Sequence, residues 1–375
     1  MKNLLQLGRL SDLCWYEAKQ SFEPEFELQK LSPTYVSVET DSLETLTRIL
    51  DKTAGIIKAF SVIDQKNPGE SFIDEIVADL VSDHRSDFSV FFQPGQDSLS
   101  QMKEIKTKLK EHGLSGRYVT SQSHGLSASI LRHHRVNEYG VVQIGELVYL
   151  LKTCWVQNID HWSIKDIDKP NRDPEKGMLP PKLARTMINF LSPGLKSQET
   201  KRLYDPFCGT GTILIEGSEL GWSVIGSDIS QVSVNQSGEN LHWFTQYKQI
   251  EPQYSLFCSD ATQVSSAQLQ GKVDAIVTEP FLGKQQPKPD QLPNVFKGLE
   301  KLYWGALKRW TQLLNEKGEV VLVTPLVSQG DKTYSLAKMI DKSRELGYSI
   351  LSGPLTYSRE QTVVQRAIYH LKYNP

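Results

Sequence analysis

The sequence predicts an α/β protein: a mostly parallel, doubly wound sheet in the C-terminal half, with an antiparallel hairpin at one edge, preceded by an α+β region. Three observations predict it. From residue 200 onward, short apolar runs alternate with longer amphipathic ones, and alternating β and α segments give a parallel sheet. Residues 203–216 run from an apolar approach through Asp205 to a turn of Gly209, Thr210, Gly211 and Thr212, then into an apolar helical stretch. That order is strand, tight loop, helix. Residues 164–180 concentrate proline, glycine and charge, the composition of a linker between two halves.

The bulk numbers agree. A chain of 375 residues has two domains as its natural prior. Hydrophobic residues make up 39% and charged residues 23%, enough for a substantial core. The formal net charge is −2, so any nucleic-acid surface must be local rather than global. Cys14, Cys154, Cys208 and Cys258 are scattered without paired metal spacing. We expect no metal site and no disulfide framework, and a reducing, cytoplasmic compartment. Leu4-Leu5 precedes polar residues, which is no signal peptide. The most apolar stretch, 141–156, is broken by Gln143, Glu146 and Lys152, short of the roughly 18 residues of a membrane span.

In the N-terminal half, 4–8 and 36–40 read as strands, and 58–63 as a third. Ser11 and Asp12 are placed to cap one helix, and Ser42 another running to Leu50. Helices follow at 73–80, 98–112 and 127–134, with strands at 87–92 and 117–119. Gly145-Glu146 joins 141–144 and 147–150 as a hairpin. Two basic features lie here. The 98–112 helix carries Lys103, Lys106, Lys108 and Lys110, interleaved with Glu104 and Glu111, which fits either a phosphate track or a solvated face. Arg132-His133-His134-Arg135 is denser, and fits phosphate contact or cations meeting a helix C-terminus.

In the C-terminal half we expect strands at 203–206, 222–228, 254–258, 273–278 and 319–325. Helices fall at 211–220, 231–245, 296–314 and 334–346, and a hairpin of 348–355 with 362–371 closes the sheet. Ligands bind such sheets at the carboxyl ends of strands, near a switch in strand order. Those ends are Asp205, Asp228, Asp260 and Glu279, so four strands deliver an acid to one edge. Asp205 and Asp228 are one βαβ unit apart, and an acid there can accept both ribose hydroxyls. Asp260, with Ala261 after it, would accept from an adenine amino group. Each aspartate alone could be a helix cap; jointly they point to a nucleoside cofactor, S-adenosylmethionine. Leu214 stands where a third dinucleotide glycine would fall, and no Gly-Lys-Ser/Thr follows the loop, which excludes nicotinamide and phosphate-loop readings. Phe207, Gly209, Gly211, Thr212 and Ile229 complete the expected cofactor contacts.

The stretch Asp205-Pro206-Phe207-Cys208-Gly209-Thr210-Gly211-Thr212 resembles the cofactor loop of Rossmann-like amino-methyltransferases acting on RNA. Gly177-Met178-Leu179-Pro180-Pro181-Lys182-Leu183-Ala184-Arg185 is similar to the segment before that loop in tRNA guanosine-10 N2-methyltransferases. Leu7-Gly8-Arg9-Leu10-Ser11, Tyr357-Ser358-Arg359 and Arg366-Ala367-Ile368 resemble that family's start and last strands. The resemblance implies a Rossmann-like methyltransferase domain at 181–375 after a linker at 166–180. It implies an RNA-binding THUMP-like domain at 61–165 and a ferredoxin-like part at 1–60. It implies tRNA as partner, with Arg132, Arg135, Lys106 and Lys110 on the RNA, and leaves a small activator subunit open.

The family presents Asp or Asn, then Pro-Pro, then an aromatic at the fourth strand. Acceptors on the amine N–H groups help it rehybridise, and the aromatic stacks on a flipped base. This chain reads Glu279-Pro280-Phe281-Leu282-Gly283. Glu279, Pro280 and Phe281 are therefore the candidate catalytic residues, with Glu279 holding the amine and Phe281 the base. Two other readings stay open: transfer to an exocyclic amine of rRNA or DNA, and an RNA-binding protein that keeps the cofactor site without transfer.

Overall fold

The structure is a computed structural model, and it describes residues 1–84, 87–93, 98–121, 125–134, 136–172, 178–197, 201–358 and 362–375. The chain forms two compact units, Met1–His161 and Trp162–Pro375. Among the described residues, no helix is long and apolar enough to cross a membrane.

The first unit is built on one seven-stranded sheet. Its strands are β1 (Lys2–Leu7), β2 (Leu28–Lys30), β3 (Tyr35–Glu39), β4 (Ile56–Lys66), β5 (Phe88–Gln93), β6 (Asn137–Ile144) and β7 (Leu147–Val156), in the order β2-β3-β1-β4-β7-β6-β5. Among the described strands of this sheet, only β5 and β6 pair in parallel. The helices Ser11–Phe22 and Leu43–Leu50 cover one part of the sheet through Leu5, Phe22 and Leu50. The helices Ile73–Ser82 and Ser98–Glu111 cover another through Leu80, Phe88 and Ile105. Ser42 caps its helix, its side chain accepting from the Thr45 N–H at 3.1 Å. Ser11 does not cap; it opens its helix after Leu10.

The division expected between residues 60 and 61 is not marked by any break in backbone pairing. It falls inside β4, which pairs with β1 on one side (Leu5 opposite Ala59) and with β7 on the other (Ala59 opposite Trp155). Backbone hydrogen bonds on both edges make the two expected parts one continuous sheet. The expected strand at 117–119 reduces to a single bridge between Phe88 and Tyr118.

In the second unit, β8 (Arg202–Asp205), β9 (Ser223–Asp228), β10 (Tyr254–Cys258), β11 (Val273–Thr278) and β12 (Leu314–Gln329) run parallel. β13 (Lys332–Ser335) forms a hairpin with the end of β12, and β14 (Tyr348–Tyr357) pairs with β15 (Gln365–Tyr373). The order β10-β9-β8-β11-β12-β15-β14 is the expected doubly wound sheet with its antiparallel edge. The chain steps outward from β8 through β9 to β10, then returns to the other side of β8 with β11. The switch in strand order is therefore between β8 and β11. The helices Thr212–Glu219, Gln231–Lys248 and Leu292–Trp310 connect the strands.

Three expectations shift. The helix expected at 296–314 spans Leu292–Trp310 because Pro293 sits in its first turn, where a missing N–H costs nothing. The helix expected at 334–346 is only Ala337–Lys342 plus a short 3-10 turn. β13 takes the residues before it, turning at Gly330 with φ +55°. The expected linker begins as packed structure: Ile164–Asp168 is a π-helical turn, and Lys165 and Lys169 are buried. Lys165 Nζ reaches Glu216 and Glu219, and Arg185 meets the same two carboxylates. Such buried charges require partners, and these tie 165 and 185 to the helix after the glycine loop. Residues 173–177 lie outside the described residues.

Candidate active site

β8 ends at Asp205, which is 2% exposed. Its Oδ1 accepts from the Phe207 N–H at 3.1 Å and from the buried Thr278 hydroxyl at 2.7 Å. The second bond links β8 to β11 across the switch point. Burial pushes the Asp205 carboxyl up to about 7, with Asp228 and Glu279 adding in the same direction and the two hydrogen bonds opposing. The glycine loop then turns back to β9. The Gly209 N–H donates to Asp228 Oδ2 at 3.1 Å, and the Ser230 N–H to Asp228 Oδ1 at 2.9 Å. Cys208 N–H donates to the Ser227 carbonyl at 2.9 Å. Asp228 is thereby fixed at the loop while part of its surface remains open.

The two glycines serve different ends. Gly209, at φ +51°, has nothing within 4 Å of where a Cβ would stand, so the loop backbone is open to a ligand there. Gly211, at φ +83°, would place a Cβ 2.4 Å from Ser237 Oγ. Its absence of a side chain lets the loop pack on the Gln231–Lys248 helix. Thr212 also turns inward, accepting from Lys169 Nζ at 3.1 Å. Asn240 ties the loop further, donating to the Thr210 and Asn171 carbonyls at 2.9 and 3.0 Å.

β10 brings its end alongside. The Ser259 N–H donates to the Asp228 carbonyl at 3.0 Å. Asp260 Oδ1 accepts from the Thr262 N–H and hydroxyl, both at 2.8 Å, and Ala261 is buried. Ile229, beside Asp228, is 75% exposed, an apolar surface next to that carboxylate. Tyr204 and Phe257 stack below this edge at 6.4 Å. The chemistry of the set fits a nucleoside with a cationic tail: acceptors for hydroxyls and an amino group, an apolar contact for a ring, and open backbone at Gly209. Among the described residues, no group of His, Cys, Asp and Glu is arranged to hold a metal.

β11 ends at the fully buried Thr278, and Glu279 follows. Both Glu279 oxygens are gripped by Arg366 of β15: Oε2 accepts from Nε and Oε1 from Nη2, each at 2.9 Å. Pro280 is buried, and Phe281 is 62% exposed. The Phe281 carbonyl accepts from Tyr303 Oη at 3.3 Å. Burial, and then Glu279, raise the Tyr303 hydroxyl well above the usual phenol range, so Tyr303 is a neutral donor. Surface concavities lined by Arg202, Ser223 and Gln253 lie by the amino ends of these strands and include none of the four acids.

Residues 171–346 match the RMKL-like methyltransferase domain family. The chain is 36% identical over 151 residues to the tRNA (guanine(10)-N2)-dimethyltransferase of Methanothermobacter thermautotrophicus, covering 40% of this chain and 39% of that one. It is 37% identical over 121 residues to a probable tRNA (guanine(10)-N2)-dimethyltransferase of Methanothermococcus thermolithotrophicus, covering 32% of this chain and 70% of that one. The chain belongs to the tRNA (guanine(10)-N2)-dimethyltransferase family. It covers less than half the length of the first curated relatives it matches, with shares of 39%, 35% and 45%. TrmN from Thermus thermophilus has the same fold along the whole of both chains, with a TM-score of 0.54 at 15% identity. The RMKL-like methyltransferase domain, as matched, contains Asp205 through Glu279 but ends before Arg366.

The basic residues expected on RNA all belong to the first unit. Arg132 is exposed at the end of the helix Ala128–His134, and Lys110 is exposed on its helix. Lys106 is half-buried over the Tyr118 ring, 5.7 Å from its centroid. Lys108 instead pairs with Asp74 at 2.6 Å, and His133 lies 3.7 Å from Asp160. Arg135 lies outside the described residues, as do Gly177 and Arg359. Sequence reasoning assigns no functional role to Thr278, Asn240 or Arg366, although Arg366 stands in a stretch that resembles the family's last strands. Thr278 had a visible signal, a polar residue ending an apolar strand. Asn240 and Arg366 had none, because their partners are 30 and 87 residues away.

Proposed function

We propose that this protein is an S-adenosylmethionine-dependent methyltransferase acting on a guanine exocyclic amine of tRNA. One observation carries the reading. Adjacent strands bring Asp260, Asp228, Asp205 and Glu279 to one edge, with the open Gly209 backbone among them. S-adenosylmethionine, when bound, supplies an electrophilic methyl group on a sulfonium. In this reading Asp228 accepts from the ribose hydroxyls, Asp260 and Ala261 meet the adenine, and Ile229 covers its ring. Asp205 and Phe207 position the amino-acid end.

Glu279 accepts from the amine N–H, so that the nitrogen lone pair leaves conjugation with the ring as it attacks. Phe281 offers its exposed face to the flipped base. The amine needs no strong base before attack, so positioning and charge placement supply the catalysis. The unit Met1–His161 serves as the THUMP-like module that grips RNA through Arg132, Lys106 and Lys110, in the cytoplasm where tRNA is matured. Mass spectrometry of nucleosides in tRNA, with and without the protein, tests this. We expect N2-methylated guanosine to disappear with the gene; unchanged tRNA beside altered rRNA overturns the substrate.

One observation favours a second reading, an RNA-binding protein that keeps the cofactor but transfers nothing: Glu279 is already engaged by Arg366. Purified protein that binds S-adenosylmethionine and moves no labelled methyl to bulk tRNA would decide for it.

A further inference from the structure

Glutamate in place of aspartate or asparagine adds a methylene and a rotatable bond between backbone and acceptor. An acceptor that swings freely is poorly placed for a reaction in which reacting atoms must lie within a fraction of an ångström of their productive position. The structure contains a device that removes this freedom. Arg366 meets Glu279 fork to fork, with two N–H···O bonds of 2.9 Å. The side chains are 12% and 14% exposed. Its guanidinium carbon stands 5.8 Å from the centre of the Tyr357 ring. Arg366 itself is held in β15 between β12 and β14, opposite Pro325 on one side and Tyr357 on the other. A bidentate pair of this kind fixes the plane of the carboxylate as well as its position.

The charge balance points the same way. Glu279 shares its edge with the Asp205 carboxyl, and the neutral Tyr303 hydroxyl is near it on the Leu292–Trp310 helix. Arg366 is a cation paired with Glu279 there. An ionised carboxylate has about four acceptor positions. The fork engages both oxygens at once and so sets their orientation.

We propose that Arg366 is the positioning residue of the methyl-transfer site, locking Glu279 as an oriented, ionised acceptor for the target amine. This rests on the reading of Glu279 as the group that holds the amine. The pair is also the reason a glutamate can stand where the family pattern has a shorter side chain: the fork replaces the rigidity that the extra methylene removes.

The test compares wild type, R366M, R366K, E279Q and the double variant E279Q/R366M. Each is measured for methyl transfer to tRNA (kcat and KM), for S-adenosylmethionine affinity and for Tm. R366M should lower kcat by about 100-fold, a typical loss for a misplaced reacting group, while cofactor affinity stays within twofold. R366K keeps the charge but not the fork and should recover part of kcat. The double variant should be no slower than E279Q alone, because Arg366 acts only through Glu279. Wild-type kcat in R366M, or losses that multiply in the double variant, overturn the proposal. If R366M does not fold, R366K decides: kcat equal to wild type overturns it, and a loss in kcat with Tm and cofactor affinity unchanged supports it. Wild-type protein that binds cofactor but transfers no methyl overturns the reading of the reaction and, with it, this role.

Discussion

The two halves of the carboxyl edge are held in opposite ways. On the cofactor side, Asp205, Asp228 and Asp260 accept mainly from backbone N–H groups of turns, at Phe207, Gly209, Ser230 and Thr262, with the Thr278 hydroxyl added at Asp205. On the acceptor side, Glu279 is fixed by Arg366, 87 residues away, and Phe281 is left exposed. The cofactor half thus rests mainly on backbone turns, and the acceptor half on a side-chain ion pair between distant residues. Local hydrogen bonding of short acids is a property of their immediate sequence; a long-range ion pair is not.

Substitutions should expose that difference. Asp228→Ala removes the acceptor of the Gly209 and Ser230 N–H groups together with the ribose contact proposed for it. We expect S-adenosylmethionine affinity to fall at least 100-fold by calorimetric titration, in line with losing charge-assisted hydrogen bonds. Wild-type affinity would break the assignment of the cofactor half. Phe281→Ala acts on the other half alone. Loss of base stacking, worth about 1–3 kcal/mol, should raise KM for tRNA roughly tenfold, with cofactor affinity and Tm unchanged.

The two loop glycines sharpen the comparison within a single turn. Gly211→Ala meets Ser237 Oγ at 2.4 Å with φ at +83°. It should destabilise the fold by about 3 kcal/mol, from strain and overpacking. Gly209→Ala, at φ +51° with open space around it, should cost only about 1 kcal/mol in stability yet lose cofactor affinity. Denaturant unfolding alongside binding separates them, and equal stability losses would contradict the distinct roles.

Protonation gives a smaller effect. Asp205 has an ordinary value of 3.8 and is held near 7 by burial. The folded state therefore keeps a proton that the unfolded chain releases, and stability falls as pH rises between those two values. Asp205→Asn should flatten that part of the stability–pH curve, as read by urea unfolding across the range. The smallest effect is expected in the first unit: Arg132→Ala should weaken tRNA binding a few-fold and reduce its salt slope by about one.

Much of this site was legible before any coordinates. The alternation of apolar runs gave five parallel strands within a few residues, because burial on both faces demands that pattern. The acids stood at the strand ends, where the sheet must place them. Other parts were not legible. Nothing around residue 60 says that β4 pairs on both edges, since strand partners are chosen by distant segments. Pro293 moved a helix start, and the β12–β13 hairpin displaced a helix whose apolar spacing suited either form.

The sequence by itself determined the order of strands and helices, the glycine turn and the four acids, because each depends on residues within about ten positions of one another. Tertiary structure decided the rest. It made the N-terminal half one sheet, gave Gly211 a packing role while leaving Gly209 open, and put Arg366 on Glu279. Those outcomes depend on which surfaces meet once the sheet closes, and that is set by the packing of the whole unit rather than by any stretch of chain.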